Sequence, residues 1–187
     1  MNRSELHTQP GCTSVNASSR RLPDDPHHSR PRRLARSYLV RLFHSLPSSG
    51  FYRRSQTPLQ PVFNGAAFLS PSAPVFDIRK VAGMTDLLIG NGDLGKALSA
   101  TLGQGAVALL RGHGNVVVGE TVQQVVYRAI QTELNARLQL QAVMLQGPLI
   151  YLAPEEAVKV NARSGPDATQ IGRTWEVWKR RVRKDNR

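Results

Sequence analysis

The sequence predicts a layered domain of the α/β or α+β class, and three observations carry that prediction. From Pro58 onward, short apolar segments alternate with stretches of helical periodicity. Two of those segments, apolar and carrying β-branched valines, lie within the stretch from Ala106 to Thr121. They flank Arg111-Gly112-His113-Gly114, which reads as a tight turn with one imidazole between two glycines. The third observation is a long amphipathic run that begins at Val122.

Taken in order, Leu59 to Phe63 reads as a short strand, Gly65 to Leu69 as a small turn or helix, and Pro74 to Ile78 as another strand. Gly92 to Gly103 places Leu94, Ala97, Leu98 and Leu102 at helical spacing, with Asp93 in the first turn and Gly103 as the stop. The strand pair around His113 follows. Thr121-Val122-Gln123-Gln124 is a capping-box pattern, in which hydroxyl and carboxamide reciprocally satisfy free backbone amides. In the helix that it starts, Val122, Val125, Val126, Ala129, Ile130, Leu134, Leu138, Ala142 and Leu145 form the apolar stripe. Gln123, Gln124, Arg128, Gln131 and Thr132 fall largely on the other side, and Gly147-Pro148 is the expected terminator. A helix from Val122 to Gln146 would be about 37 Å long, a spine for a small domain. Leu149 to Leu152 reads as a buried strand, Pro154 as the first turn of a helix, and Arg173 to Arg183 as a final basic helix.

Charge divides the 187 residues. Residues 1–60 carry ten Lys/Arg against three acids, 61–172 carry eight of each, and 173–187 carry seven against two, within a net charge of +12. Basic character therefore belongs to the ends, and no nucleic-acid motif accompanies it, so specific nucleic-acid binding is not expected. Flexible basic ends attract polyanions without specificity, a weaker alternative. The domain division is 1–57, a low-order leader rich in Ser, Pro, Arg and His, and 58–187, the folded part. Within the leader, the apolar patch Ser37 to Leu46 reads as a short strand or helix ended by Pro47 and Gly50. An organellar transit peptide is an alternative reading of the leader, which Glu5, Asp24, Asp25 and the prolines fit poorly. The only cysteine, Cys12, excludes an intrachain disulfide and a cysteine-rich zinc site. No apolar run reaches the roughly 18 to 20 residues of a membrane span, and Met1 to Ser18 is too polar for a secretory signal. The cytoplasm is the expected compartment.

Of the chemistry-bearing groups, His113 leads. A lone histidine between glycines either hydrogen-bonds across its turn or contributes one ligand to a metal, and catalytic zinc usually takes three protein ligands. Among the remaining histidines, only His44 lies near enough to the ordered part to join it; His7, His27 and His28 belong to the leader. There is no Gly-x-Ser-x-Gly nucleophile elbow, and Gly90 to Gly95 reads as a helix entry, not a dinucleotide site. Trp175 and Trp178, three residues apart, fit packing of the last helix onto the domain.

Val107 to Thr121, followed by Tyr127-Arg128-Ala129-Ile130 and Glu133 to Gln139, resembles the class II aldolase/adducin family. Pro58 to Phe63, Pro74 to Arg79, Thr85 to Leu88, Tyr151 to Glu156 and Trp175 to Trp178 are most similar to its decarboxylase branch, whose substrates are hydroxy-keto or semialdehyde acids. The likeness covers roughly residues 58 to 183. It implies a three-layer α/β/α fold with a central, mainly antiparallel sheet, here N-terminally truncated. It further implies a tetramer with sites between subunits, a homo-oligomer in any case, acting on a small-molecule acid. The family's divalent metal, zinc or manganese or magnesium, is held by a His-x-His pair and a later histidine, and serves carbon–carbon cleavage by aldol lysis or decarboxylation.

His113 matches the later histidine. His44 falls on the second histidine of the pair, Leu42 on the first, and Asn64 where some members carry histidine. The family's glycine-rich loop and acid/base glutamate have no counterpart in residues 1–40. A frame or gene-model change upstream of Pro58 would account for both that gap and the step in charge. A non-catalytic binding module, as in adducin heads, is the alternative that Leu42 favours. Loss of the elements that cover the sheet face and edge predicts association or poor solubility.

Overall fold

A four-stranded mixed sheet lies between two helical layers in the computed structural model, which describes residues 38–40, 57–165 and 168–185. For 38–40 and Asp185 the backbone alone is described. The strands are β1 (Tyr38–Val40), β2 (Val75–Phe76), β3 (Val107–Leu110) and β4 (Asn115–Gly119), in the order β1-β4-β3-β2. β1 and β3 pair with β4 antiparallel and β2 with β3 parallel, so the sheet is mainly antiparallel. β1 lies within the leader's apolar patch; the rest of residues 1–56 lies outside the described residues.

The sheet is covered on both faces because β3 and β4 are apolar at nearly every position, as strands packed on two sides must be. On one face, helix α2 (Gly92–Leu102) lays Leu94 and Leu98 against Phe76, Ile78, Ala108, Leu110 and Val116; the four-residue α1 (Arg79–Ala82) precedes it. Asn91 caps α2 by accepting from the Leu94 amide at 2.9 Å, and Gly103 ends it at φ 55°, a left-handed backbone suited to glycine.

On the other face, helix α3 (Val122–Met144) meets Val107, Leu109 and Val117 through Val125, Ala129 and Ala136. Small residues here let the helix axis approach the strands. A fully buried leucine or valine such as Leu109 or Val117 contributes about 1.5–3 kcal/mol. Also on this face are the 3-10 helix Asn64–Leu69, α4 (Pro154–Asn161) and α5 (Thr169–Asp185). Trp178 of α5 approaches the Tyr127 ring at 6.4 Å, the packing role expected for the tryptophan pair.

Several local expectations are corrected. The reciprocal capping box is displaced by one residue: Thr121 Oγ1 accepts from Gln124 N at 3.2 Å, but Gln124 Oε1 accepts from Glu120 N, not from Thr121. The left-handed residue ending α3 is Gln146, at φ 56°, ahead of Gly147. Leu149 to Leu152 is neither a strand nor uniformly buried, since Ile150 is 89% exposed and Leu152 makes one backbone bond, to Pro61 O at 2.9 Å.

The face that α3 buries follows the predicted stripe at Val125 and Ala129 and departs from it beyond them. Ile130, Leu134 and Leu138 are 41%, 39% and 38% exposed, whereas Gln124, Thr132, Asn135 and Gln139 are buried. The cause lies in residues 58–62, which form no strand beyond a single bridge between Leu59 and Ala73. Their backbone is taken up by side chains of α3. Gln60 N donates to Gln139 Oε1 at 3.0 Å, Val62 N to Asn135 Oδ1 at 2.9 Å, Asn135 Nδ2 to Gln60 O at 2.7 Å and Gln139 Nε2 to Pro58 O at 2.8 Å. Two carboxamides four residues apart on one helix face substitute for a neighbouring strand. Buried polar groups so satisfied cost little, and they turn the helix.

Candidate functional site

The turn between β3 and β4 is the candidate site. It closes through Leu110 N to Gly114 O at 2.8 Å and His113 N to Leu110 O at 3.1 Å. Gly112 sits at φ 71°, where a side chain is strained, and an added Cβ would also meet Leu87 at 3.0 Å. The turn leaves His113 half-buried at the end of the sheet.

Arg111 is held through both its backbone and its side chain. Its backbone amide donates to Phe76 O at 3.0 Å and its Nε to Asp77 Oδ1 at 2.8 Å, which ties the turn to the end of β2. Asp77 also receives Arg79, with Nη2 to Oδ2 at 2.6 Å and Nε to both carboxylate oxygens. The Arg79 hydrogen bonds foremost, then the bond and charge of Arg111, outweigh partial desolvation and hold the Asp77 carboxyl far below the ordinary carboxylate range. One carboxylate between two guanidiniums leaves an excess positive charge beside the turn.

Asn115, the first residue of β4, is 2% exposed, and neither its Nδ2 nor its Oδ1 has a hydrogen-bond partner among the described residues. A buried carboxamide left unsatisfied costs about 1–3 kcal/mol, and such a group two residues from His113 points to a ligand at this end of the sheet. Sequence reasoning missed both Asp77 and Asn115. The signal for Asn115 was present: it shares the period-two face of Val117 in a strand otherwise apolar, and so points inward.

Of the predicted ligands, His113 is placed in the turn as expected, while His44, like Leu42, lies outside the described residues. Asn64 opens the 3-10 helix and is exposed. Among the described residues, no three His, Cys, Asp or Glu side chains converge as a metal-holding group. No helix among them is long and apolar enough to cross a membrane.

Comparison with known proteins bears on this turn. The sequence model of the Class II Aldolase and Adducin N-terminal domain matches residues 55–140, which include β2, β3, the His113 turn, β4 and most of α3. The decarboxylase tropJ of Talaromyces stipitatus is 35% identical over 146 aligned residues, covering 66% of this chain and 53% of that protein. Among solved structures, an aldolase II superfamily protein from Pseudomonas syringae superposes with a TM-score of 0.56 at 19% identity, over 80% of this chain and 56% of that one. The L-fuculose 1-phosphate aldolase from Glaciozyma antarctica PI12 does so with a TM-score of 0.51 at 17% identity, over 70% and 47%. These structures share the fold. The chain spans about half the length of the proteins it matches.

Proposed function

Because the chain belongs to the class II aldolase/adducin family, we propose that it serves metal-dependent carbon–carbon cleavage, aldol lysis or decarboxylation, of a small hydroxy-keto or semialdehyde acid. The observation that carries this reading is His113 in its glycine-flanked turn, two residues before Asn115, whose buried carboxamide has no hydrogen-bond partner among the described residues. The excess positive charge of the Arg79–Asp77–Arg111 trio favours an acid as substrate.

In this reading His113 and His44 hold a divalent cation, zinc or manganese or magnesium. The family resemblance supports pairing them, with His113 as the later histidine and His44 as the second of the His-x-His pair. The turn fits such a group, since neutral imidazole is a common metal ligand and an inward carboxamide oxygen is a compatible neighbour. A cation bound there supplies Lewis acidity toward substrate oxygens. The protein's own part is to fix the imidazole by the turn, to hold Arg111 in place through Asp77, and to exclude water with the apolar strand ends.

We place the active form in a homo-oligomer and its compartment in the cytoplasm. A second reading, a non-catalytic binding module of the adducin kind, is favoured by Leu42 at the position where the family carries its first histidine.

The test is turnover. Purified full-length chain is stripped with chelator, reloaded with zinc, manganese or magnesium, and assayed against short hydroxy-keto acids for carbon dioxide or aldehyde release. Metal-restored release that is lost in His113→Ala supports the lyase. Metal binding without release supports the binding module.

A further inference from the structure

At the opposite end of β3 from the His113 turn lies a second feature, a cavity of about 260 Å³ between α3, the 3-10 helix and the loop that enters β3. Among the described residues, Arg128 is the only charged one that lines it. One nitrogen of that guanidinium, Nη1, donates to the Val118 carbonyl, and the group sits over the Phe68 ring, 5.8 Å from its centroid. Nε and Nη2 have no hydrogen-bond partner among the described residues, and Arg128 makes no ion pair there. Glu120 acts on it electrostatically without forming one. A partly desolvated cation without a counter-ion is costly.

The neighbouring groups are donors as well. Gln124, Tyr127 and Arg128 stand at i, i+3 and i+4 on α3 and line the same cavity. The Gln124 Oε1 is occupied by Glu120 N, leaving its Nε2 to donate. Tyr127 Oη accepts from Gln170 Nε2 at 2.9 Å, leaving its own O–H to donate. No acidic residue among the described ones lines the space.

We propose that this cavity binds a small oxyanion, the carboxylate or phosphate group of a small molecule, against the Arg128 guanidinium, with the Tyr127 hydroxyl and the Gln124 carboxamide as further donors. The planar fork left free at Nε and Nη2 matches two oxygens of either group. The site is independent of the metal reading, because β3 separates it from the His113 turn and none of its donors is a proposed ligand.

Titration calorimetry of the full chain at low ionic strength tests it, with inorganic phosphate in one arm and acetate in the other, each against sodium chloride of equal ionic strength. Saturable binding of at least one anion beyond the chloride control is expected. Preference for phosphate assigns a phosphate ester, and preference for acetate a carboxylate. Arg128→Gln is expected to weaken binding at least about tenfold, as loss of charge-assisted hydrogen bonds does. That variant also loses its contacts to Val118 and Phe68, so Gln104→Glu, an exposed lining residue, provides a carboxylate at the rim without disturbing packing. It is expected to weaken binding by like-charge repulsion, with unchanged circular dichroism. No binding above chloride in either arm, or affinity unchanged in Gln104→Glu and in folded Arg128→Gln, overturns the proposal.

Discussion

Arg111 Nε donates to Asp77 Oδ1 at 2.8 Å, and through this bond the turn that carries His113 is fastened to the end of β2. The two residues are 34 positions apart, so the pair joins segments that the chain itself leaves far apart. Its pH dependence has a definite sign. The folded-state value of Asp77 lies below its unfolded value, so the folded protein binds fewer protons there, and the contribution is present above about pH 4. It is lost as pH falls toward the folded value. Thermal melts of the wild type are therefore expected to drop between pH 5 and pH 3, and Asp77→Asn to drop less over that interval from a lower start. Parallel curves for the two proteins would contradict the linkage.

Asn135 holds the backbone of Gln60 and Val62 in place of a neighbouring strand. Asn135→Ala strands one carbonyl and one amide in a partly buried layer, at about 1–3 kcal/mol for each group left unsatisfied. Urea unfolding is expected to show a loss of about 2–4 kcal/mol with little change in slope, whereas a surface residue of similar size would show less than half a kilocalorie.

Gln146 ends α3 in a left-handed backbone conformation that glycine adopts without strain. Gln146→Gly is expected to stabilise the protein by about 0.5–1 kcal/mol, with a matching rise in melting temperature. A destabilised variant would mean that this helix end is held by its side chain.

Ile130, Leu134 and Leu138 present an apolar stripe on the outer face of α3, with Leu145 and Met144 further exposed at its end. Contiguous exposed apolar surface drives association. Sedimentation velocity is expected to show concentration-dependent self-association that Leu134→Glu with Leu138→Glu reduces. A monomer at all concentrations would remove the oligomer from the account.

The helices, the hairpin and its turn were legible in the sequence because their signals are local: β-branched runs, a glycine-flanked turn, an Asn or Thr cap. The orientation of the second half of α3 was not. Its buried side is set by which backbone lies across it, and nothing local reveals that Asn135 and Gln139 receive residues 58–62 from 73 to 81 positions away. The short strand expected at Leu59 fails for the same reason, since its hydrogen bonds go to side chains. Within the site, His113 was legible from its glycines, but Asp77 was not, because its partner Arg111 is distant in sequence. Asn115 was legible in principle from strand parity. Pairing of His44 with His113 rests on the family resemblance alone.

The central claim is that the His113 turn holds a divalent cation. Direct measurement is metal content by mass spectrometry, with calorimetric titration of zinc and manganese into chelator-stripped full-length chain at neutral pH, alongside His113→Ala and His44→Ala. About one bound cation per chain, lost in both variants, is the predicted result. No cation bound under excess zinc or manganese, or binding unaltered by His113→Ala, would contradict it.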